Sequence, residues 1–184
     1  MVDADVRICR LSDVPDAGSV VAQITAIFFE ASATRTFESA AVRAAFRERW
    51  LGRYLAHFPD EVFLACGADG RVAGYLVGCL EDPARNERFA DISYFDDFAG
   101  LTQRFPAHVH VNLRPEFRGR GIGAELIEAF AAHAAAAGAA GMHVVTGEGM
   151  RNTAFYRRCG FEHVAWAEWN GRRLAFLGRR LAED

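Results

Sequence analysis

The segment from Ala107 to Ala124 constrains this chain most. An alternating strand, Ala107 to Leu113, runs into Arg114-Pro-Glu-Phe-Arg-Gly-Arg-Gly-Ile-Gly-Ala124, and an amphipathic helix follows with Ile122, Leu126, Phe130 and Ala134 on one face. Gly119, Gly121 and Gly123 fall at every second position where a helix begins. Glycine there weakens a helix, so the pattern needs a reason. Bare backbone amides that a bulky ligand can approach, beside the positive end of a helix dipole, supply one. Arg118 and Arg120 add charge, and the ligand class implied is a phosphate or pyrophosphate.

Gly119-Arg-Gly121-Ile-Gly-Ala124 also satisfies the dinucleotide fingerprint G-x-G-x-x-G/A. That fingerprint wants the first strand of a βαβ unit and an acid about 20 residues on. Here the strand is the fourth, and 139–145 contains no acid. A dinucleotide fold fails on context.

The elements around this segment read as follows. Val6 to Leu11 is a strand, and Ser12 offers a cap to a helix carrying Val20, Ile24, Ile27 and Phe28. A second helix is predicted over 38–57 with Phe46, Trp50, Tyr54 and Leu55 as its buried stripe. A hairpin, 61–65 and 72–80, turns at Ala68-Asp69-Gly70. Residues 82–105 are irregular, with short helices and an aromatic cluster of Phe89, Tyr94, Phe95, Phe98 and Phe105. Beyond the Gly-rich segment come a strand over 142–146, a short helix over 152–158 closed by Gly160, and a hairpin, 164–169 and 172–177, turning at Asn170-Gly171.

Two motifs now carry a resemblance. Arg118-x-x-Gly121-x-Gly123, preceded by Val111-Asn112-Leu113 and followed by a helix, resembles the acetyl-CoA loop of the GNAT superfamily of N-acetyltransferases. Asn152-Thr-Ala-Phe-Tyr156-Arg-Arg-Cys-Gly-Phe161 resembles the second signature of that family in a slightly compressed form. The order β-α-α-β-β-β-α-β-α-β-β is similar to that fold across nearly the whole chain. The resemblance implies one α/β (α+β) domain over 1–184, with a mixed, mostly antiparallel sheet of about seven strands and about four helices. A closer likeness, on Gly74 to Gly78, Phe105 to Ala107, Phe155-Tyr156 and Phe176 to Leu181, is to the acetyltransferase-like C-terminal domain of O-GlcNAcase. That domain lacks the Gly-rich loop, which this chain keeps.

The resemblance implies acetyl-CoA as acetyl donor and direct transfer to an amine through a ternary complex. It places Val111, Asn112, Leu113, Arg118, Gly119, Arg120, Gly121, Ile122, Gly123, Ala124, Asn152, Phe155 and Tyr156 against the cofactor. Tyr156 would protonate the departing thiolate, with a packed core tyrosine as the bland reading. Asn152 would meet the pantetheine arm, with a helix N-cap as the bland reading. The amide near Leu113 would polarise the acetyl oxygen. On the strand, His108, His110 and Asn112 share one face. His110 is the candidate general base, since imidazole titrates in the range that task needs; a hydrogen-bonded strand histidine is the alternative, more so for His108. The acceptor is expected among the first helices, the 82–105 insert and the last hairpin, where Asp91, Asp96 and Asp97 with Tyr94 and Phe95 would suit a cation.

Composition narrows the rest. The 184 residues carry a formal net charge of -3, which argues against a nucleic-acid or anionic-membrane binder. All 21 basic residues are arginine, so no lysine can serve as Schiff base or Walker-type phosphate ligand. Cys9, Cys66, Cys79 and Cys159 have neither C-x-x-C nor zinc spacing and no adjacent base, so no metal and no acetyl-cysteine step are expected. Unpaired cysteines and the absence of a signal-like N-terminus predict a cytoplasmic protein, as monomer or homodimer. A module that binds CoA or a peptide without turnover is the alternative function.

Overall fold

The computed structural model describes residues 6–181. Seven strands form one sheet in the order β1-β2-β3-β4-β5-β7-β6. β1 (Arg7–Arg10), β2 (Val62–Cys66) and β3 (Val72–Cys79) pair antiparallel in succession. β4 (Ala107–Leu113) and β5 (Gly141–Gly147) run parallel, with Ala107 opposite Met142 and His108 opposite His143. β7 (Arg172–Arg180) pairs antiparallel with both β5 and β6 (Glu162–Trp169). The helices are α1 (Ala17–Ala31), α2 (Ala40–Arg47), α3 (Arg53–His57), α4 (Tyr94–Asp97), α5 (Ala99–Thr102), α6 (Ile122–Ala136) and α7 (Asn152–Arg158).

The chain divides into two compact units: residues up to Gly78 with His110–Phe130, and Cys79–Val109 with the residues from Ala131 on. The division falls inside β3, β4 and α6.

In the first unit, Ile24 and Ile27 of α1, Leu51, Tyr54, Leu64 and Leu76 are fully buried. Phe63 meets Phe130 edge-on at 6.1 Å. Gln23 of α1 fastens the β2–β3 hairpin, its amide oxygen taking the Val72 N–H at 3.0 Å. Asp16, not Ser12, caps α1, accepting from the Ser19 amide at 3.2 Å. Pro15 explains the shift: the residue before a proline is pushed out of the helical region, and Leu11–Asp13 forms only a 3-10 turn.

The predicted single helix over 38–57 is three pieces. Ser39 caps α2 through the Val42 amide, a π turn occupies Glu48–Gly52, and α3 follows. The Arg53 amide bonds the Glu48 carbonyl five residues back. A Cβ on Gly52 would collide with the folded-back carboxylate of Glu48.

In the second unit the aromatic insert is core. Phe89, Tyr94, Phe95, Phe98 and Phe105 are all at most 5% exposed. His143, fully buried, stacks on Phe176 at 4.6 Å and 17°, and its Nδ1 meets the Phe105 carbonyl oxygen at 2.5 Å. His108, 2% exposed, packs against Phe89, Phe95 and His143. The last hairpin turns through Asn170 (φ 49°) and Gly171 (φ 71°), the double left-handed geometry of a type I′ turn. Trp169 beside that turn donates to the Ser93 hydroxyl at 3.0 Å.

Candidate functional site

Burial falls along β4. Ala107, His108 and Val109 are buried, whereas His110, Val111, Asn112 and Leu113 are half-buried. In the first unit the end of this strand is held by β3. The Arg114 amide bonds the Ala73 carbonyl and its Nε bonds the Val72 carbonyl, each at 2.9 Å. Asn112 Nδ2 donates to the Tyr75 hydroxyl at 2.9 Å. Gly74 permits this approach: a Cβ there would lie 2.4 Å from Leu113 Cδ2 and 2.8 Å from the Asn112 carbonyl oxygen.

After β4 the chain makes a 3-10 turn, Pro115–Phe117, and enters the Gly-rich segment. Gly119 (φ 76°) and Gly121 (φ 85°) both adopt the left-handed conformation that L side chains rarely take, and a Cβ on either would meet nothing within 4 Å. The glycines therefore serve backbone shape beside open space, not internal packing. The first turn of α6 pairs the Ala124 and Glu125 amides with the Gly121 carbonyl. The Ile122 and Gly123 amides lie in the part of a helix without intrahelical acceptors. Arg118 is drawn back, its Nε donating to the Leu113 carbonyl at 3.2 Å. Arg120 and Arg71 lie over the Phe117 ring at 5.6 and 5.5 Å, and Arg71 pairs with Glu116.

His110 is enclosed by aromatic edges, with Trp50 at 5.9 Å and Tyr54 at 5.6 Å. Burial, together with the buried Arg53 guanidinium, pushes its imidazole down to about 4. It is neutral at pH 7, so it can accept a proton, but it is a weaker base than an ordinary histidine. Trp50 and Tyr54 were readable only as part of a helical stripe, and Arg53 carried no signal of its own; nothing local announced that they surround a residue 56 to 60 positions away.

In the second unit, Tyr156 on α7 is 6% exposed and packs against Phe155 and Phe161 at 5.1 and 5.6 Å. Burial and the neighbouring Cys159 hold its hydroxyl well above the usual phenol range. It stays protonated at any working pH. Asn152 is the first residue of α7 and not its cap; its side-chain oxygen accepts from the Thr146 hydroxyl of β5 at 2.9 Å. The N-cap reading of Asn152 is thereby replaced.

The proposed cation-binding faces are spent elsewhere. Tyr94 packs on Trp169 at 5.3 Å and Phe95 on His108 at 5.6 Å, both rings buried. Asp91, Asp96 and Asp97 are exposed. Among the described residues no cluster of His, Cys, Asp or Glu could hold a metal ion.

The sequence profile of the acetyltransferase (GNAT) family matches residues 22–161. The chain belongs to that family. Solved structures agree on the fold. SsHAT superposes with a TM-score of 0.74 at 22% identity, covering 97% of this chain and 99% of that one. Naa20 of Chaetomium thermophilum, solved with a bisubstrate analogue, gives 0.62 at 21% identity over 95% and 86%. The phosphinothricin acetyltransferase of Sinorhizobium meliloti, solved with AcCoA, gives 0.61 at 22% identity over 95% and 88%. The GNAT chain described here thus has the seven-stranded, mostly antiparallel sheet of its family, and it is a transferase by membership. No helix among its described residues is long and apolar enough to cross a membrane.

Proposed function

We propose that this GNAT protein transfers an acetyl group from acetyl-CoA directly to an amine, without an acetyl-enzyme stage. The observation that carries the reading is the pair of left-handed glycines, Gly119 and Gly121, set beside open space at the start of α6. Backbone amides at a helix start suit a pyrophosphate, and the side chains of Arg118 and Arg120 add positive charge around it. Gly123, Ile122 and Ala124 continue that cradle into the helix. When bound, acetyl-CoA supplies an activated thioester.

The remaining roles belong to this chain's own groups. Val111 and Leu113 offer backbone groups on the half-buried end of β4, and the Leu113 amide suits stabilisation of charge on the acetyl oxygen. Its carbonyl is already engaged by Arg118. Tyr156 holds its proton in the resting site, as its raised value favours; the same shift makes it a weaker acid than an ordinary phenol, so it meets the developing thiolate as a hydrogen-bond donor whose proton passes over only as the sulfur takes full charge. Asn152 and Phe155 flank it on α7 and line the cofactor arm. His110 receives the amine proton, directly or through water. Because its value lies near 4, it draws weakly on an ammonium near 10; the acceptor therefore reacts from its neutral fraction. Cys79 and Cys159 are buried, so these two thiols have no exposure as covalent carriers, and the chain has no lysine.

Four free cysteines fit a reducing, cytoplasmic setting. The closer likeness to the O-GlcNAcase C-terminal domain rests on segments whose packing is now visible. Gly74 admits Asn112 and Leu113, and Phe105 sits over Gly141 and Gly178. Those contacts serve the sheet itself, so they add no substrate to the reading.

Calorimetric titration with acetyl-CoA tests the proposal beside a Gly121→Trp control, whose side chain would crowd the cradle. Binding that the control abolishes, followed by thiol release in the presence of an amine panel, is the expected result. Absence of binding at millimolar acetyl-CoA would overturn it.

A further inference from the structure

A cleft of about 530 Å³ opens in the second unit, at the end where β4 is about to begin and β7 finishes. Arg104, Arg179, Arg180 and His163 line it, with Glu162 as the one acid among the described residues that line it. Three guanidinium groups against one carboxylate make a strongly positive concavity on a chain whose net charge is -3.

The walls are built, not incidental. The Phe105 ring lies flat across the sheet here because Gly141 and Gly178 carry no side chain. A Cβ would stand 2.6 Å from the ring at Gly141 and 2.9 Å from it at Gly178. Arg179 is anchored by donating from Nη1 to the Cys159 carbonyl at 3.0 Å. Gly160, left-handed at φ 81°, lets the turn pass close to that guanidinium, whose Nε would lie 3.5 Å from a Cβ there. A register shift between His163 and Ala165 breaks the β6–β7 ladder at Val164, another lining residue; bulges of this kind re-aim side chains. His163 packs on Trp166 at 4.3 Å, and its Nε2 is a buried ring nitrogen with no hydrogen-bond partner among the described residues. Arg104 and Arg180 remain exposed at the rim.

We propose that this cleft is a second ligand site, for a small organic oxyanion held by Arg104, Arg180 and His163. Planar guanidinium forks match phosphate and carboxylate oxygens in pairs. The volume falls within the range of small-molecule sites and exceeds what an inorganic ion fills. None of these residues belongs to the acetyl-transfer machinery proposed above, so the site stands or falls independently of it.

The test follows the ring resonances of His163 by NMR in the full chain, assigned with His163→Gln. AMP and citrate are titrated at constant ionic strength, with potassium chloride as control. The expected result is a saturable shift with at least one of the two probes. The tighter probe names the source, organic phosphate or polycarboxylate. Arg104→Gln weakens binding about tenfold, Arg104→Glu with Arg180→Glu abolishes it, and Arg120→Ala in the glycine loop leaves it intact. A shift that stays linear and is matched by chloride overturns the proposal, as does an affinity unchanged in Arg104→Gln.

Discussion

Asn112 donates its side-chain amide to the hydroxyl of Tyr75, 2.9 Å away on the neighbouring strand, and Tyr75 is 1% exposed. The bond fixes the residue that sits between the two backbone groups assigned to the cofactor arm. Removing one partner from a buried pair strands the other. Asn112→Leu is expected to cost about 1–3 kcal/mol, whereas Tyr75→Phe with Asn112→Leu costs less than the sum of the single changes. Urea denaturation of the four proteins of this cycle checks it.

His110 links function to acidity. The unfolded imidazole takes a proton below about 6.5, the folded one only below about 4. Between those values the unfolded chain binds more protons, so stability rises with pH across that window and is lost as pH falls through it. The loss contributed by this group is at most about 3 kcal/mol. His110→Phe is expected to flatten the stability profile between pH 4 and 6.5, read from denaturant midpoints. For the same reason the acid limb of kcat/KM should fall near 4 and not near 6.5, and Arg53→Met should move it upward.

Tyr156→Phe separates proton donation from packing. The ring keeps its contacts with Phe155 and Phe161, so acetyl-CoA affinity is expected to persist while kcat for thiol release falls about 10²–10⁴-fold. Equal losses in binding and turnover would reassign the residue to the core.

Gly74→Ala and Gly100→Ala form a matched pair. The first places a Cβ against the Asn112 carbonyl and Leu113, while the second meets nothing within 4 Å. Gly74→Ala is expected to lose about 1–3 kcal/mol and to weaken acetyl-CoA binding by displacing β4. Gly100→Ala, in α5, is expected to gain up to about 1 kcal/mol. Thermal melts and calorimetry read both.

Local signals transferred well from sequence to structure. β4 over 107–113 and α7 over 152–158 have the predicted bounds, because strand alternation and a left-handed closing glycine act within a few residues. The spacing of Gly119, Gly121 and Gly123 announced an open backbone, but not that Gly119 and Gly121 alone would be left-handed. What failed were competitions and long-range matches. Ser12 was read as the cap of the first helix, and Asp16 takes that place because Pro15 keeps the preceding residue out of the helical region. The aromatics of 82–105 looked like a binding loop, yet they are the core of the second unit, since apolar rings say nothing about which partner they will find. His110 looked ordinary until Trp50, Tyr54 and Arg53 closed around it from distant positions.

The π turn at Glu48–Gly52 carries one residue more than a regular helical winding. It acts as a phase shifter. An unbroken α-helix of the same length would turn everything beyond this point by about 100°, the angular step of one α-helical residue, and would carry Tyr54 and Arg53 away from His110. Deleting a single residue there, Arg49 for example, would instead let regular α-helix run through while Tyr54 and Arg53 kept their facing, because the wide turn holds the extra residue. The surplus residue thus sets which side chains reach His110, and a one-residue deletion inside the π turn is expected to leave the acid–base behaviour in place.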